Sequence, residues 1–79
     1  MNRYNIKVLV PILNKSYELF VPDNILVGNF LYMLIKSIND INHTNIENLL
    51  LYNSFNGEML NLDDYIFNSI NNGMTLILI

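Results

Sequence analysis

Between Val27 and Asn39 the chain reads VGNFLYMLIKSIN, and this stretch limits what the rest can become. Val27, Phe30, Leu31, Leu34, Ile35 and Ile38 return to one side of a 3.6-residue helix and form a continuous apolar stripe. Asn29, Tyr32, Lys36 and Asn39 fall off it. A helix with one wide apolar face must lay that face on something flat. In a chain of 79 residues, a small sheet built from the flanking segments is the available cover.

Those segments carry the matching period. Tyr4, Ile6, Val8 and Val10 alternate with Asn5, Lys7 and Leu9, as in a half-buried strand. Pro11 lacks a donor and ends the run or sets it at an edge. Leu13 to Ser16 reads as a turn. Alternation then resumes, with Tyr17, Leu19 and Val21 on one side and Glu18 and Phe20 on the other, which predicts a β-hairpin. Pro22, Asp23 and Asn24 stop the second strand. The helix begins either at Ile25, with Asn24 as its cap, or near Val27. Gly28 in its first turn lowers helix propensity and points to a close approach to the sheet. Asn39 to Asn42 should end it, since Asn and Asp side chains compete with helical hydrogen bonds. Ile41 and Ile46 are then expected to fold back beneath it.

Beyond the helix, Leu49 to Tyr52 reads as a third strand. Asn53 to Glu58 is a turn built on Asn56-Gly57, and Met59 to Leu62 a brief fourth strand. Asp63, Asp64 and Tyr65 open a single helical turn with Ile66 and Ile70 facing inward. Asn71 to Gly73 turns the chain again, and Met74 to Ile79 is a last strand apolar enough to be central. The order is β-β-α-β-β-β, read as a single domain over residues 1–79. With the last strand parallel to the first, this is an α+β mixed sheet crossed by one helix, the ubiquitin-like β-grasp.

Composition removes several functions. Without cysteine there is no disulfide framework, thiolate nucleophile or sulfur-ligated zinc. A net charge of −3, with Arg3, Lys7, Lys15 and Lys36 scattered, argues against nucleic acid. No apolar run approaches a membrane span, and MNRYNIKVLV does not read as a signal peptide. The expected location is the cytoplasm. The chain is 52% hydrophobic and only 14% charged, so either a partner covers some apolar surface or abundant Asn keeps it soluble.

Catalytic constellations are missing. His43 is the single histidine and reads as a loop residue. Asp63 and Asp64 read as helix-capping residues, and Ser16, Ser37, Ser54 and Ser69 have no base in a recognisable pattern. Neither a cofactor nor an enzymatic activity is expected. What remains is apolar surface. If Ile6, Val8 and Val10 face the helix, Leu9 faces away, and Leu76 and Leu78 inward leave Ile77 and Ile79 outward. From the third strand either Leu49 and Leu51 or Leu50 and Tyr52 point out. We take Leu9, Leu50, Tyr52, Ile77 and Ile79 as a protein-binding face of about 400 to 600 Å². A symmetric homodimer burying it is one expected use.

Leu62-Asp63-Asp64-Tyr65 followed by Met74-Thr75-Leu76-Ile77-Leu78 resembles the acidic-tyrosine turn and closing strand of ubiquitin. A wider likeness runs through Val8 to Pro11, Tyr17-Glu18-Leu19 to Val21-Pro22, Val27-Gly28 with Leu31, Leu34 and Ile35, Leu51-Tyr52-Asn53, Gly57, and Ile70-Asn71-Asn72-Gly73 into Leu76 to Ile79. It resembles the YukD/EsaB group, small ubiquitin-like proteins encoded with type VII (WXG100) secretion systems of Gram-positive bacteria. The resemblance implies a non-enzymatic, cytoplasmic accessory or regulatory component that contacts cytoplasmic parts of the secretion machinery. It supplies no catalytic residue to carry over. Two alternatives use the same fold: an adaptor in another bacterial assembly, and a ubiquitin-like modifier or sulfur carrier. A modifier needs a flexible Gly-Gly tail past the last strand. The sequence ends on the strand itself at Ile79, so neither an adenylate nor a conjugate at Ile79 is expected.

Overall fold

The computed structural model describes residues 2–79. Its elements follow in the order β1 (Arg3–Val10), β2 (Lys15–Pro22), α1 (Val27–Asn42), β3 (Leu51–Asn53), α2 (Ile66–Ser69) and β4 (Thr75–Leu78). A 3₁₀ turn at Pro11–Leu13 joins β1 to β2. It closes on Asn14, whose φ of 53° is left-handed, a region that Asn enters more readily than most residues. The second strand therefore starts at Lys15, two residues before its apolar alternation begins.

Among the described residues the sheet has four strands in the order β2-β1-β4-β3. The two central strands are parallel, with Val8 opposite Leu76, as the apolar closing strand predicts. β3 pairs antiparallel with β4, setting Leu51 opposite Leu78. The expected strand at Met59 to Leu62 is reduced to one bridge, between Met59 and Tyr52. Two backbone bonds flank that bridge: Asn53 N–H to the Glu58 carbonyl (2.8 Å) and Leu60 N–H to the Leu51 carbonyl (2.9 Å). Leu60 is buried, and Leu62 packs against the core from the same segment, so chain that leaves the sheet to seat these side chains cannot extend the ladder.

The core lies between the sheet and α1. Val8, Val10, Leu51, Leu76 and Leu78 from the strands meet Val27, Phe30, Leu31, Leu34 and Ile38 from the helix. Ile66 and Ile70 close one end and are both buried. Every buried residue among those described is apolar.

The helix takes the later of its two expected starts and runs to the last residue of its expected stop. It starts at Val27 with Leu26 as its cap and no side-chain capping bond, so Asn24 does not cap it. The Val27 and Gly28 N–H groups instead donate to the carbonyls of Asp64 (2.8 Å) and Leu62 (2.9 Å). In return the Ile66 and Phe67 N–H groups at the start of α2 donate to the carbonyls of Ile25 (2.9 Å) and Asp23 (3.0 Å). Each helix start is thus satisfied by the backbone that leads into the other. Gly28 permits this: a Cβ there would stand 3.1 Å from the Leu62 carbonyl oxygen. The close approach is to this loop and not to the sheet.

At the far end α1 runs through Asn42 and stops on His43, left-handed at φ 55°. Asn39 and Asn42 do not break it because their side chains have tertiary partners. The Asn39 amide donates to the Ile46 carbonyl and accepts from the Ile46 N–H, both at 2.8 Å. Asn42 Nδ2 reaches the Tyr17 hydroxyl (2.8 Å) and the Ile38 carbonyl (2.7 Å). Ile46 packs on the core as expected. Ile41 does not: carried on the last helical turn, it is 67% exposed.

Asp63 and Asp64, read together as caps, separate. Asp63 is exposed, and its side chain makes none of the hydrogen bonds at the α2 start. Asp64 accepts from Asn68 Nδ2 (3.0 Å), Ser69 Oγ (3.0 Å) and the Tyr65 N–H (2.9 Å). The bonds from Asn68 and then Ser69, helped by Tyr65, hold its carboxyl below the usual carboxylate value against an opposing desolvation. A depressed folded pKa contributes stability that is present above the unfolded value and is lost as pH falls through the folded one. We expect Asp64→Asn to flatten the acid limb of the stability–pH curve below about pH 4. Urea titrations of both proteins across that range measure the difference.

Candidate protein-interaction face

The outer side of the sheet is ordered by register. Leu9 on β1 stands opposite Ile77 on β4, Ile77 opposite Tyr52 on β3, and Tyr52 opposite Met59 at the isolated bridge. Residues paired across strands share a face, so these four side chains make one apolar row across the strands. At about 4.8 Å between neighbouring strands, the row spans about 14 Å. Along the strands it is bounded by a polar row, Glu18 opposite Lys7 and Lys7 opposite Thr75. Ser54 Oγ donates to the Thr75 carbonyl at 2.8 Å and continues that row.

Four of the five residues assigned to the face in the sequence behave in one way. Leu9, Tyr52 and Ile77 lie on the outer side and are half-buried, since each is flanked by chain on both sides. Ile79, just past β4, is 54% exposed. Leu50 is different. It exchanges backbone bonds with Ile79, each 3.0 Å, but its half-buried side chain packs against the core cluster. The choice within the third strand is settled by Leu51, fully buried, which leaves Tyr52 outward.

Met59, 57% exposed, belongs to the face and was missed in the sequence. It was placed in a strand of its own, and only the Tyr52 bridge shows which side it takes. Phe20, which the alternation of β2 sets on the side away from Tyr17, Leu19 and Val21, lies on the outer side and is 73% exposed, opposite Asn5 at the far corner of the sheet. An open hollow of about 390 Å³ adjoins Leu9 at the hairpin end, lined also by Pro11, Asn14 and Ser16. Among the described residues, no three His, Asp or Glu side chains gather as a metal site would require.

No protein-family model matches the sequence, and no curated protein matches it. Solved structures do. The ubiquitin-like domain of the Mycobacterium tuberculosis type VII secretion system protein ECCD1 superposes with a TM-score of 0.76 at 12% identity, covering 100% of this chain and 99% of that one. The fold is ubiquitin-like. Caldiarchaeum subterraneum ubiquitin matches at TM-score 0.68 and 16% identity, over 98% of this chain and 91% of its own. The N-terminal ubiquitin-like domain of the 4931431F19Rik protein matches at 0.67 and 24%, over 98% of this chain and 73% of that one. At these identities the fold is the shared property. No helix among the described residues is long and apolar enough to cross a membrane.

Proposed function

We propose that this chain is a single ubiquitin-like protein-interaction domain that works by docking and not by catalysis. Its docking surface is the outer sheet face around Leu9, Tyr52, Ile77 and Ile79, joined by Met59. The observation that carries the reading is the register-aligned apolar row on a face where a strand that only needs to be solvated would carry polar residues. We place it as a cytoplasmic accessory component of a type VII secretion system of the YukD/EsaB kind, contacting cytoplasmic parts of that machinery. The sequence likeness described above supports this, and so does the ECCD1 domain's occurrence in a type VII system.

Ile77 sits mid-row, so Ile77→Asp should leave the fold intact and weaken partner binding by about tenfold or more, the effect of losing about 1.4 kcal/mol. The check is an amide chemical-shift titration with the cytoplasmic segments of the secretion apparatus encoded beside the gene. Shifts confined to Leu9, Tyr52, Ile77 and Ile79, and abolished by the substitution, are expected. Shifts restricted to the helix side would count against this face. A WXG100 protein and an FtsK-type ATPase as gene neighbours support the secretion role. Their absence would favour an adaptor in another bacterial assembly.

A further inference from the structure

The sheet has two edges, and they differ in what covers them. Beyond β3 runs the 58–60 segment, bonded to Asn53 and Leu51 as described. β2 is the last strand on its side, and its eight residues present a free ladder. Which groups are free follows from the neighbouring pairings. The Lys7 N–H donates to the Met74 carbonyl (3.0 Å), so odd-numbered residues of β1 bond toward β4 and even-numbered ones toward β2. The even residues of β1 stand opposite Lys15, Tyr17, Leu19 and Val21. The Asp23 N–H donates to the Asn2 carbonyl (2.9 Å) and keeps the same alternation. Ser16, Glu18 and Phe20 therefore turn both N–H and C=O to the open edge, and Pro22 its C=O alone.

The flanks of this edge are apolar. Phe20 is 73% exposed on the outer side and Met33 58% exposed on the helix side. Leu19, Phe30, Met33, Leu34 and Ser37 line an open cleft of about 150 Å³ between β2 and α1. Natural edges usually carry bulges or inward-pointing charges to prevent pairing. β2 has no bulge along its pairing with β1; its charges, Lys15 and Glu18, are exposed, and Pro22 stands at its end.

We propose that β2 pairs antiparallel with β2 of a second copy of this chain, centred on Leu19, so that two four-stranded sheets become one. Paired residues must share a face, which leaves three central registers, and the chemistry separates them. Centring on Glu18 sets two carboxylates opposite each other, which is destabilising. Centring on Phe20 sets Pro22, without a donor, opposite Glu18 and removes a bond beside the twofold axis. Centring on Leu19 avoids both. Glu18 of each copy then exchanges backbone bonds with Phe20 of the other, and Pro22 accepts from Ser16 at the ends. On the helix side Leu19 meets Leu19 and Tyr17 meets Val21, while Lys15 of one copy lies opposite Asp23 of the other. That self-complementarity in charge and donor count is why the occupant is a second copy.

Sedimentation velocity over a concentration series should show a monomer–dimer equilibrium that Glu18→Pro abolishes. The Glu18 N–H is free in the monomer, so proline takes nothing from the β1 ladder, and helix content and melting should hold. Ile77→Asp, which tests the outer face, should leave this dimer unchanged. Hydrogen exchange on the unmodified chain provides an independent reading: the Ser16, Glu18 and Phe20 amides should slow in step with dimer fraction. Three outcomes would overturn the proposal: a monomer at every concentration, a dimer lost in Ile77→Asp but kept in Glu18→Pro, or edge amides protected only when a segment of another protein is added.

Discussion

Replacing Leu34 with alanine is expected to destabilise the fold by about 2 to 5 kcal/mol. Leu34 sits mid-stripe on α1 and is 5% exposed, among Val27, Phe30, Leu31 and Ile38 on its own helix and the Val8, Leu76 and Leu78 layer of the sheet. Truncation removes burial of the isobutyl group and leaves a cavity that rigid neighbours fill only in part. Domains of this size hold only a few kcal/mol of net stability, so the variant should be substantially unfolded at 37 °C. A denaturant titration read by helix signal measures it. A change below about 0.5 kcal/mol, the usual range for surface sites, would mean that the helix does not bury this residue against the sheet.

Asn39→Ala should cost about 1 to 3 kcal/mol. The Asn39 amide behaves as a strand partner for Ile46, donating to its carbonyl and accepting from its N–H, and Oδ1 also accepts from Thr44 Oγ1 at 2.8 Å. These bonds are partly buried, so alanine leaves a backbone donor and acceptor short of partners. The 44–46 loop should loosen and with it the packing of Ile46. Asn39→Asp keeps the acceptor and loses the donor, so its loss should fall between wild type and alanine. Hydrogen exchange at the Ile46 amide locates the effect: faster in Asn39→Ala, nearly unchanged in Asn39→Asp. Equal exchange in all three proteins would show that the side chain does not hold the loop.

Much of the fold was legible because its periods are unambiguous. The stripe from Val27 to Ile38 and the alternation from Tyr4 to Val10 each admit one burial solution, and the structure adopts both. The outer face was legible by the same parity: with Val8 and Leu76 inward, Leu9 and Ile77 had to face out. Parity failed where the strand was too short to carry a pattern. At Leu49 to Tyr52 every residue is apolar or aromatic, and both assignments fitted until Leu51 was seen opposite Leu78. Met59 shows the same weakness, since a single bridge has no period at all.

The apolar stripe of α1 and the alternation of β1 are properties of the local chain, so the sequence alone shows which way each long element faces and which of its residues are buried there. Tertiary structure decided the ends, the caps and the edges. Asn39 and Asn42 look like helix breakers until Ile46 and Tyr17 take their hydrogen bonds. Asn24 and Asp63 look like caps until the carbonyls at 23, 25, 62 and 64 satisfy both helix starts. The exposed ladder of β2 is invisible in its residues, since whether a strand is an edge depends on which others pair beside it. In each case the deciding group is a backbone or side-chain polar atom whose partner lies far along the chain. Local propensity has no term for a hydrogen bond closed only by the fold.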